Sequence, residues 1–244
     1  MIRVAAAGDL HVDRESAARW RRDLASVSDA ADLLLLAGDL TQTGVPAEAD
    51  CVVEALTHVS VPICAVLGNH DLHANAQDAI SKILERRGVM VLEGRGAVFP
   101  FASQSVGVAG TVGFGGGFEG ACATDFGELE MKAFVGRTRR LAERLERALA
   151  NLHADLRIAL LHYSPVADTL AGERREIYPF LGSGMLGEAI DRAGADLIVH
   201  GHAHSGSEIG STHRGVPVRN VAQPVIRAPY RLFELGEPKP DAGD

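Results

Sequence analysis

The chain has 244 residues, of which 46% are hydrophobic and 23% are charged, and its formal net charge is −8. A chain of this length and balance can bury a substantial core without covalent staples. The negative charge argues against general attraction to nucleic acid or anionic lipid, although it leaves room for a small cationic pocket. We expect one domain over 1–235, followed by a disordered tail over 236–244 that is rich in Pro, Gly and Asp.

The cysteines and the N-terminus indicate the compartment. Cys51, Cys64 and Cys122 form no CxxC pair and are odd in number, which favours a reducing environment over a disulfide framework. The apolar stretch at the N-terminus is interrupted by Gly8-Asp9, so it is too short for a signal peptide. No apolar run approaches the roughly 18 residues that are needed to span a bilayer. We therefore expect a cytoplasmic protein without a membrane partner.

Short apolar runs alternate with helix-like segments along the chain. Buried strands are predicted at 2–7, 33–36, 62–67, 156–161 and 197–200. Helices are predicted at 14–27, 46–58, 76–87, 136–152 and 186–192. Shorter β-like pieces are predicted at 89–92, 97–101 and 106–109, and hairpins over 207–235. This order predicts an α/β domain with mixed sheets.

Metal-ligand residue types follow each of the five buried strands within two residues. The strand ends read Gly8-Asp9-Leu10-His11, Gly38-Asp39, Gly68-Asn69-His70-Asp71, His162 and Gly201-His202-Ala203-His204. In open α/β sheets, sites form beyond the carboxyl ends of the strands, so parallel strands would bring these loops to one edge. Four of the five loops place a glycine directly before the first ligand type, where it lets the backbone approach closely. One Gly-Asp turn would mean little, but five such loops favour a shared site.

The gathered side chains are two carboxylates, four imidazoles and one amide. They are Asp9, Asp39, His11, His162, His202, His204 and Asn69. A mixed N and O set without thiolate suits Mn²⁺, Fe, Zn²⁺ or Ni²⁺ better than a structural zinc site. Seven ligands are too many for one ion with an open position, and they suit two ions that share a bridging carboxylate. Two divalent ions outweigh two carboxylates, so the centre complements an anion such as phosphate.

The order of these motifs resembles the calcineurin-like metallophosphoesterase superfamily from residue 9 to residue 204. The resemblance implies a four-layer αββα sandwich with two mixed β-sheets flanked by helices. It also implies two divalent ions, with Mn²⁺ expected, and a metal-activated hydroxide as the nucleophile. One departure is Gln42, since many members carry an aspartate there. That aspartate is not a ligand, so metal binding is not threatened, but any supporting role it has is in doubt.

The family pattern also implies a role for each residue. The first metal would be held by Asp9, His11, Asp39 and His204. The second would be held by Asp39, Asn69, His162 and His202, with Asp39 as the bridge. His70 would bind no metal. It would stabilise the transition state and protonate the leaving oxygen, oriented by Asp71.

Other polar residues have more ordinary interpretations. His200 is expected to support the strand end rather than to bind metal. His58, His73, His153 and His213 are expected to be solvated or structural. The arginines of 137–147 are interleaved with Glu143 and Glu146 at helical spacing, which predicts a solvated helix face rather than a nucleic-acid patch.

Two segments allow either a functional role or a purely structural one. The glycine-rich loop 113–118 is either a flexible connector or an active-site flap that carries Phe114 or Phe118 toward the substrate. Arg174 and Arg175, which lie downstream of His162, either contact the substrate or belong to a surface loop.

The leading interpretation is a hydrolase that acts on a small phosphodiester such as a cyclic nucleotide, by family analogy. A phosphomonoesterase is the nearest alternative. A nuclease is disfavoured because the chain is acidic and shows no clear basic stripe. A non-catalytic scaffold on the same fold would be expected to lack ligands or His70, and all are present. The natural substrate, the physiological metal and the oligomeric state are left open.

Overall fold

The structure is a computed structural model that describes residues 1–102 and 104–236. The tail predicted to be disordered therefore lies outside the described residues, except for Gly236. The strands are β1 (Ile2–Ala7), β2 (Leu33–Ala37), β3 (Ile63–Val66), β4 (Val89–Val91), β5 (Arg95–Pro100), β6 (Ser105–Thr111), β7 (Gly117–Phe118), β8 (Ala121–Cys122), β9 (Leu156–Leu161), β10 (Leu197–His200), β11 (Ile209–Ser211), β12 (Pro217–Asn220) and β13 (Arg231–Leu235). The helices are α1 (Ala17–Asp23), α2 (Val27–Ala30), α3 (Pro46–Ala55), α4 (Gln77–Arg86), α5 (Leu129–Ala150), α6 (Tyr178–Leu181), α7 (Gly184–Ala193) and α8 (Gln223–Ile226).

The first sheet has the strand order β13-β1-β2-β3-β4, and β1 to β4 run parallel. The central strands β2 and β3 are apolar on both faces, as parallel strands are when helices cover one side and a second layer covers the other. In β2, Leu34 and Leu36 pack against helical side chains such as Trp20. Leu33 and Leu35 point the other way, into a cluster shared with the second sheet. The alternation therefore places β2 between two buried layers.

The second sheet has the strand order β11-β12-β10-β9-β6-β5. The pairs β6–β9, β9–β10 and β10–β12 are parallel, and the two edge pairs are antiparallel. In β9, Ile158 and Leu160 face the first sheet, whereas Ala159 and Leu161 face α5 and α7. Helices α1, α3 and α4 cover the outer face of the first sheet. The layers are thus α, β, β and α, which confirms the expected sandwich.

The predicted helix over 14–27 is wrong in its extent. The Asp13 carboxylate accepts hydrogen bonds from the backbone N–H groups of Glu15 and Ser16 at 3.0 and 2.8 Å. These hydrogen bonds resemble a helix N-cap, and the regular helix α1 begins only at Ala17 and ends at Asp23. The long helix predicted over 136–152 begins earlier, at Leu129, because Leu, Glu, Met and Lys at 129–132 are strong helix formers.

The predicted hairpins over 207–235 are only partly right. Strands β11 and β12 do form an antiparallel hairpin. Strand β13 does not return to it and pairs instead with β1 in the first sheet, with Leu235 opposite Ile2. Phe233 and Leu235 thereby pack against the cluster between the sheets. Local periodicity carries no information about such a distant partner. No helix within the described parts of the chain is long and apolar enough to cross a membrane.

Candidate metal centre

The five loops that follow β1, β2, β3, β9 and β10 meet at one edge of the two sheets. The structure brings all seven expected ligands together there. One group of potential ligand atoms comes from Asp9, His11 and His204, and a second comes from Asp39, His162 and His202. The atoms of each group lie within 4.8 Å of one another.

The Asp39 carboxylate lies between the two groups. Its Oδ2 is 3.9 Å from His11 Nε2, and its Oδ1 is 3.4 Å from His162 Nε2. Oδ1 also accepts a hydrogen bond of 2.8 Å from the backbone N–H of His70. The residue is buried, so its charge has little access to water. A carboxylate in this position suits a bridge between two cations.

His162 and Asn69 complete the second group across the gap between the sheets. The Nδ1–H of His162 donates to the carbonyl oxygen of Ala37 at 2.9 Å, because that oxygen can only accept. His162 Nε2 lies 2.9 Å from Asn69 Oδ1, so the two side chains could offer a nitrogen and an oxygen to the same ion.

Asp9 links the first group to the loop after β10. Its Oδ1 lies 2.8 Å from His204 Nε2, and Oδ2 accepts from the backbone N–H of His202 at 3.0 Å. Burial alone would raise the pKa of Asp9, but the His204 hydrogen bond and the neighbouring histidines hold it below its ordinary value. The hydrogen bond to Asp9 raises the pKa of His204 in turn. A bound cation would displace the proton that lies between Asp9 and His204.

Two other histidines are kept neutral by their surroundings. Burial lowers the pKa of His202 to about 3, and its Nε2–H donates to the carbonyl oxygen of Phe180 at 3.2 Å. Burial also lowers the pKa of His200 to about 4. His200 Nε2 lies 2.8 Å from Thr169 Oγ1, and Nδ1 lies 2.7 Å from Gly201 O, so this residue holds the strand end as expected. Neutral imidazole is the form that binds metal.

The backbone of the site is strained at four of the expected ligands. Asp9, His11, Asp39 and His202 have φ values of 58°, 45°, 49° and 70°, a region that non-glycine residues seldom occupy. Such strain costs about 1–3 kcal/mol per residue and persists where the surrounding structure enforces it. The loops also interlock, since Asp9 N donates to Gly38 O at 3.0 Å and His11 N to Asp39 O at 2.9 Å.

The glycines before the ligands allow the close approach that the sequence predicts. A β-carbon at Gly68 would collide with the Asp39 carboxylate, and one at Gly201 would collide with Asp9. A β-carbon at Gly38 would collide with the His162 ring. Each glycine therefore makes room for a ligand from another loop.

His70 lies beside the ligands, but its side chain is held differently from what we expected. Its Nδ1–H donates to the carbonyl oxygen of Gln42 at 2.7 Å, which leaves Nε2 free. The ring packs edge-on to His11 with centroids 4.4 Å apart. Potential ligand atoms of His70, His11 and Asp39 also form a third group within 4.8 Å of one another, so His70 adjoins the metal centre directly.

The expected contact between Asp71 and the His70 side chain is replaced by another one. The buried Asp71 carboxylate accepts from the backbone N–H groups of Leu40, Thr41 and Gly68 at 3.1, 2.8 and 2.8 Å. The Thr41 hydroxyl also donates to it at 2.6 Å. Since these donors lie in the loops after β2 and β3, Asp71 ties the Asp39 loop to the Asn69 loop. The Gln42 carbonyl, rather than Asp71, fixes His70.

The donor set fits divalent transition ions. It offers nitrogen and oxygen atoms without thiolate, and the pair Asp39 and Asp9 supplies negative charge that is buried with little access to solvent. His11 makes no side-chain hydrogen bond through its buried Nδ1 atom within the described residues, and its Nε2 lies on the side of Asp39.

The remaining segments prove to be structural or solvent-exposed. The loop 113–118 is largely buried, with Gly116 N donating to Pro179 O at 2.7 Å and Gly117 N to Gly182 O at 2.8 Å, so it is not a loose connector. Arg139 pairs with Asp125 at 2.8 Å, in line with a solvated face on α5. Arg174 pairs with Glu176 on the surface. The histidines expected to be solvated, His58, His73, His153 and His213, are exposed.

Three contacts at the site were not predicted from the sequence. Tyr163 packs against His202 with tilted rings whose centroids are 4.4 Å apart, and its position directly after His162 was the signal that could have indicated this. The carbonyls of Phe180 and Gln42 meet His202 and His70, and backbone acceptors cannot be recognised from residue type.

Comparisons with known proteins identify the family and the fold. A sequence profile described as calcineurin-like phosphoesterase matches residues 2–206. A comparison with curated proteins found no match. The chain is similar to the crystal structure of phosphopantetheinyl hydrolase (PptH) from Mycobacterium tuberculosis, at 16% identity, a TM-score of 0.70 and 98% coverage of each chain. It is also similar to TT1561 of Thermus thermophilus, at 17% identity and a TM-score of 0.53, covering 91% of this chain and 89% of that one. Likenesses at these identities show the fold.

Proposed function

The chain belongs to the calcineurin-like phosphoesterase family, and on that premise we propose that it uses two divalent metal ions to hydrolyse a small phosphodiester such as a cyclic nucleotide. The family and the candidate ligand groups together support a metal-dependent phosphoester hydrolase. The diester preference and the choice of Mn²⁺ are the finer parts of the proposal.

The observation that carries the proposal is the position of Asp39. Its two carboxylate oxygens face histidines of different groups, His11 at 3.9 Å and His162 at 3.4 Å. Asp9, His11 and His204 would hold one ion and Asn69, His162 and His202 the other, with Asp39 shared. When bound, two such ions supply positive charge that binds the phosphoryl group and activates the attacking water.

Side chains of the protein supply the proton transfer and the positioning of the ligands. His70 has its Nδ1–H committed to Gln42, so a second proton on Nε2 is free to pass to the leaving oxygen. Asp71 acts indirectly, because it holds the loops of Asp39 and Asn69 in register through Thr41 and Gly68. We therefore assign His70 as the general acid and Asp71 as a positioning residue.

A phosphomonoesterase remains the alternative. The diester preference rests on family analogy, and the substrate panel below separates the two.

A substrate panel tests the proposal. The purified protein should be loaded with Mn²⁺ and offered a cyclic nucleotide, bis(p-nitrophenyl) phosphate, p-nitrophenyl phosphate and a phosphopantetheinyl ester. We expect kcat/KM to be highest for a diester, with EDTA abolishing turnover and Mn²⁺ restoring it. His204→Ala should lose activity, whereas His153→Ala, at an exposed histidine outside the site, should not. Failure to hydrolyse every ester after Mn²⁺ loading would overturn the proposal.

A further inference from the structure

Several aromatic side chains form a series of contacts that begins and ends at His202. The His202 ring packs on Tyr163 at 4.4 Å, and Tyr163 packs on Phe114 at 5.8 Å. Phe114 contacts Phe134 at 5.0 Å, and Phe134 meets Phe180 edge-on at 6.3 Å. The carbonyl oxygen of Phe180 then accepts from His202 Nε2 at 3.2 Å. These side chains, which we call the aromatic wall, therefore adjoin an expected metal ligand at both ends.

Phe180 is the member of this wall that faces solvent. Its side chain is 61% exposed, which is unusual for a phenylalanine that packs against another ring. The backbone around it is fixed, since Gly116 N donates to Pro179 O at 2.7 Å and Ser164 N to Leu181 O at 3.0 Å. An exposed aromatic face that is held in place beside a reaction centre is suited to contact a ligand.

Arg137 adds a charged group to the same wall. Its guanidinium lies over the Phe114 ring, with Cζ 4.2 Å from the centroid. No carboxylate within 1–102 or 104–236 forms an ion pair with Arg137. Phe114 in turn packs on Tyr163, which contacts His202, so Arg137 is linked to the candidate metal centre through two ring contacts.

We propose that Phe180 and Arg137 form a leaving-group subsite that binds the nucleobase of a nucleoside phosphoester. A base has a flat π-face that stacks on an exposed phenylalanine, and stacking of this kind tolerates any base. It also has carbonyl and ring-nitrogen acceptors that match the planar donors of an unpaired guanidinium. A flexible aliphatic group would use the apolar face but leave those donors without partners. The inference rests on the proposed function, because it names the group attached to the phosphoester.

The test compares two five-membered cyclic diesters, adenosine 2′,3′-cyclic phosphate and glycerol 1,2-cyclic phosphate, the second of which lacks the base and the ribose ring. Phe180→Ala should lower kcat/KM for the adenosine ester about 5- to 100-fold and leave the glycerol ester nearly unchanged. Phe180→Trp should retain or improve turnover of the adenosine ester. Phe126→Ala is the matched control, because Phe126 is 88% exposed and lies outside the aromatic wall. Arg137→Ala should weaken binding of the adenosine ester alone.

A binding measurement separates failure of this inference from failure of the proposed function. Saturation-transfer NMR should show contact between the adenine protons and the wild-type protein, and Phe180→Ala should lose that contact whether or not the ester is hydrolysed. Binding without turnover would sink the proposed diester activity and keep the subsite. Equal losses on both esters in Phe180→Ala, or an absence of adenine contact in the wild type, would overturn the subsite.

Discussion

His162 and Asn69 face each other with Nε2 and Oδ1 2.9 Å apart, although they follow strands of different sheets. His162 extends from β9 of the second sheet, and Asn69 follows β3 of the first. The candidate metal centre is therefore assembled across the seam where the two sheets pack. Moving either loop would separate two expected ligands of one ion, so we expect metal binding and tertiary packing to be coupled here.

Replacing the shared carboxylate tests the bridge. Asp39→Asn removes the negative charge that offsets repulsion between two cations, so we expect loss of at least one ion and nearly all turnover. Metal content per chain after Mn²⁺ saturation and gel filtration is the measurement. Asp78→Asn, at an exposed position on α4, is the control and should keep both ions. Retention of two ions with near-normal turnover in Asp39→Asn would falsify the bridging assignment.

Replacing His70 separates proton transfer from metal binding. His70→Ala should keep both ions while lowering kcat for an ester with a poor leaving group about 10²–10⁴-fold. A nitrophenyl ester should lose less, because nitrophenolate leaves without a proton. His162→Ala, which removes a ligand, should damage both esters and lower the metal content.

The informative comparison is the ratio of kcat values for the two esters in His70→Ala. An equal loss on both esters would mean that His70 only stabilises phosphoryl charge. Loss of an ion would mean that His70 is itself a ligand, as its position near His11 and Asp39 allows.

Replacing Asp71 tests its role between loops. Asp71→Asn keeps the shape of the side chain but loses the charge-assisted hydrogen bonds from Thr41 and Gly68. We expect the free energy of unfolding to fall by about 1.5–3 kcal/mol and metal affinity to weaken. Urea unfolding and a metal titration measure the two effects. A variant with wild-type stability that lost only kcat would indicate a direct catalytic role instead.

Replacing a glycine tests the close approach between loops. Gly201→Ala places a methyl group against the Asp9 carboxylate, so we expect a loss of about 1–3 kcal/mol in stability and weaker metal binding. Gly136→Ala in α5 is the matched control, because its methyl group would meet only the flexible end of Arg140. That control should be neutral or stabilising by about 0.5–1 kcal/mol. Similar thermal unfolding of Gly201→Ala and wild type would contradict the packing described here.

The sequence by itself predicted an α/β domain with mixed sheets and the residues expected at the candidate metal centre, whereas the four layers were implied by the family resemblance. Buried strands such as Leu33–Ala37 are apolar on both faces, and residue type alone indicates that they lie between two layers. The ligands directly follow such strands, and the chain direction of parallel strands then carries Asp9, Asp39 and Asn69 to one edge. These features are local in sequence, so they could be predicted from it.

Only the tertiary structure decided the pairing of the last strand and the groups that orient the side chains of the site. β13 pairs with β1 because Phe233 and Leu235 are packed between the sheets, and no local pattern identifies that partner. The His70 ring donates to the carbonyl oxygen of Gln42, and the Asp71 carboxylate accepts from Thr41 instead of from His70. Every residue carries a backbone carbonyl, so residue type cannot show which one becomes an acceptor. That choice depends on how the loops pack, which is a property of the folded chain.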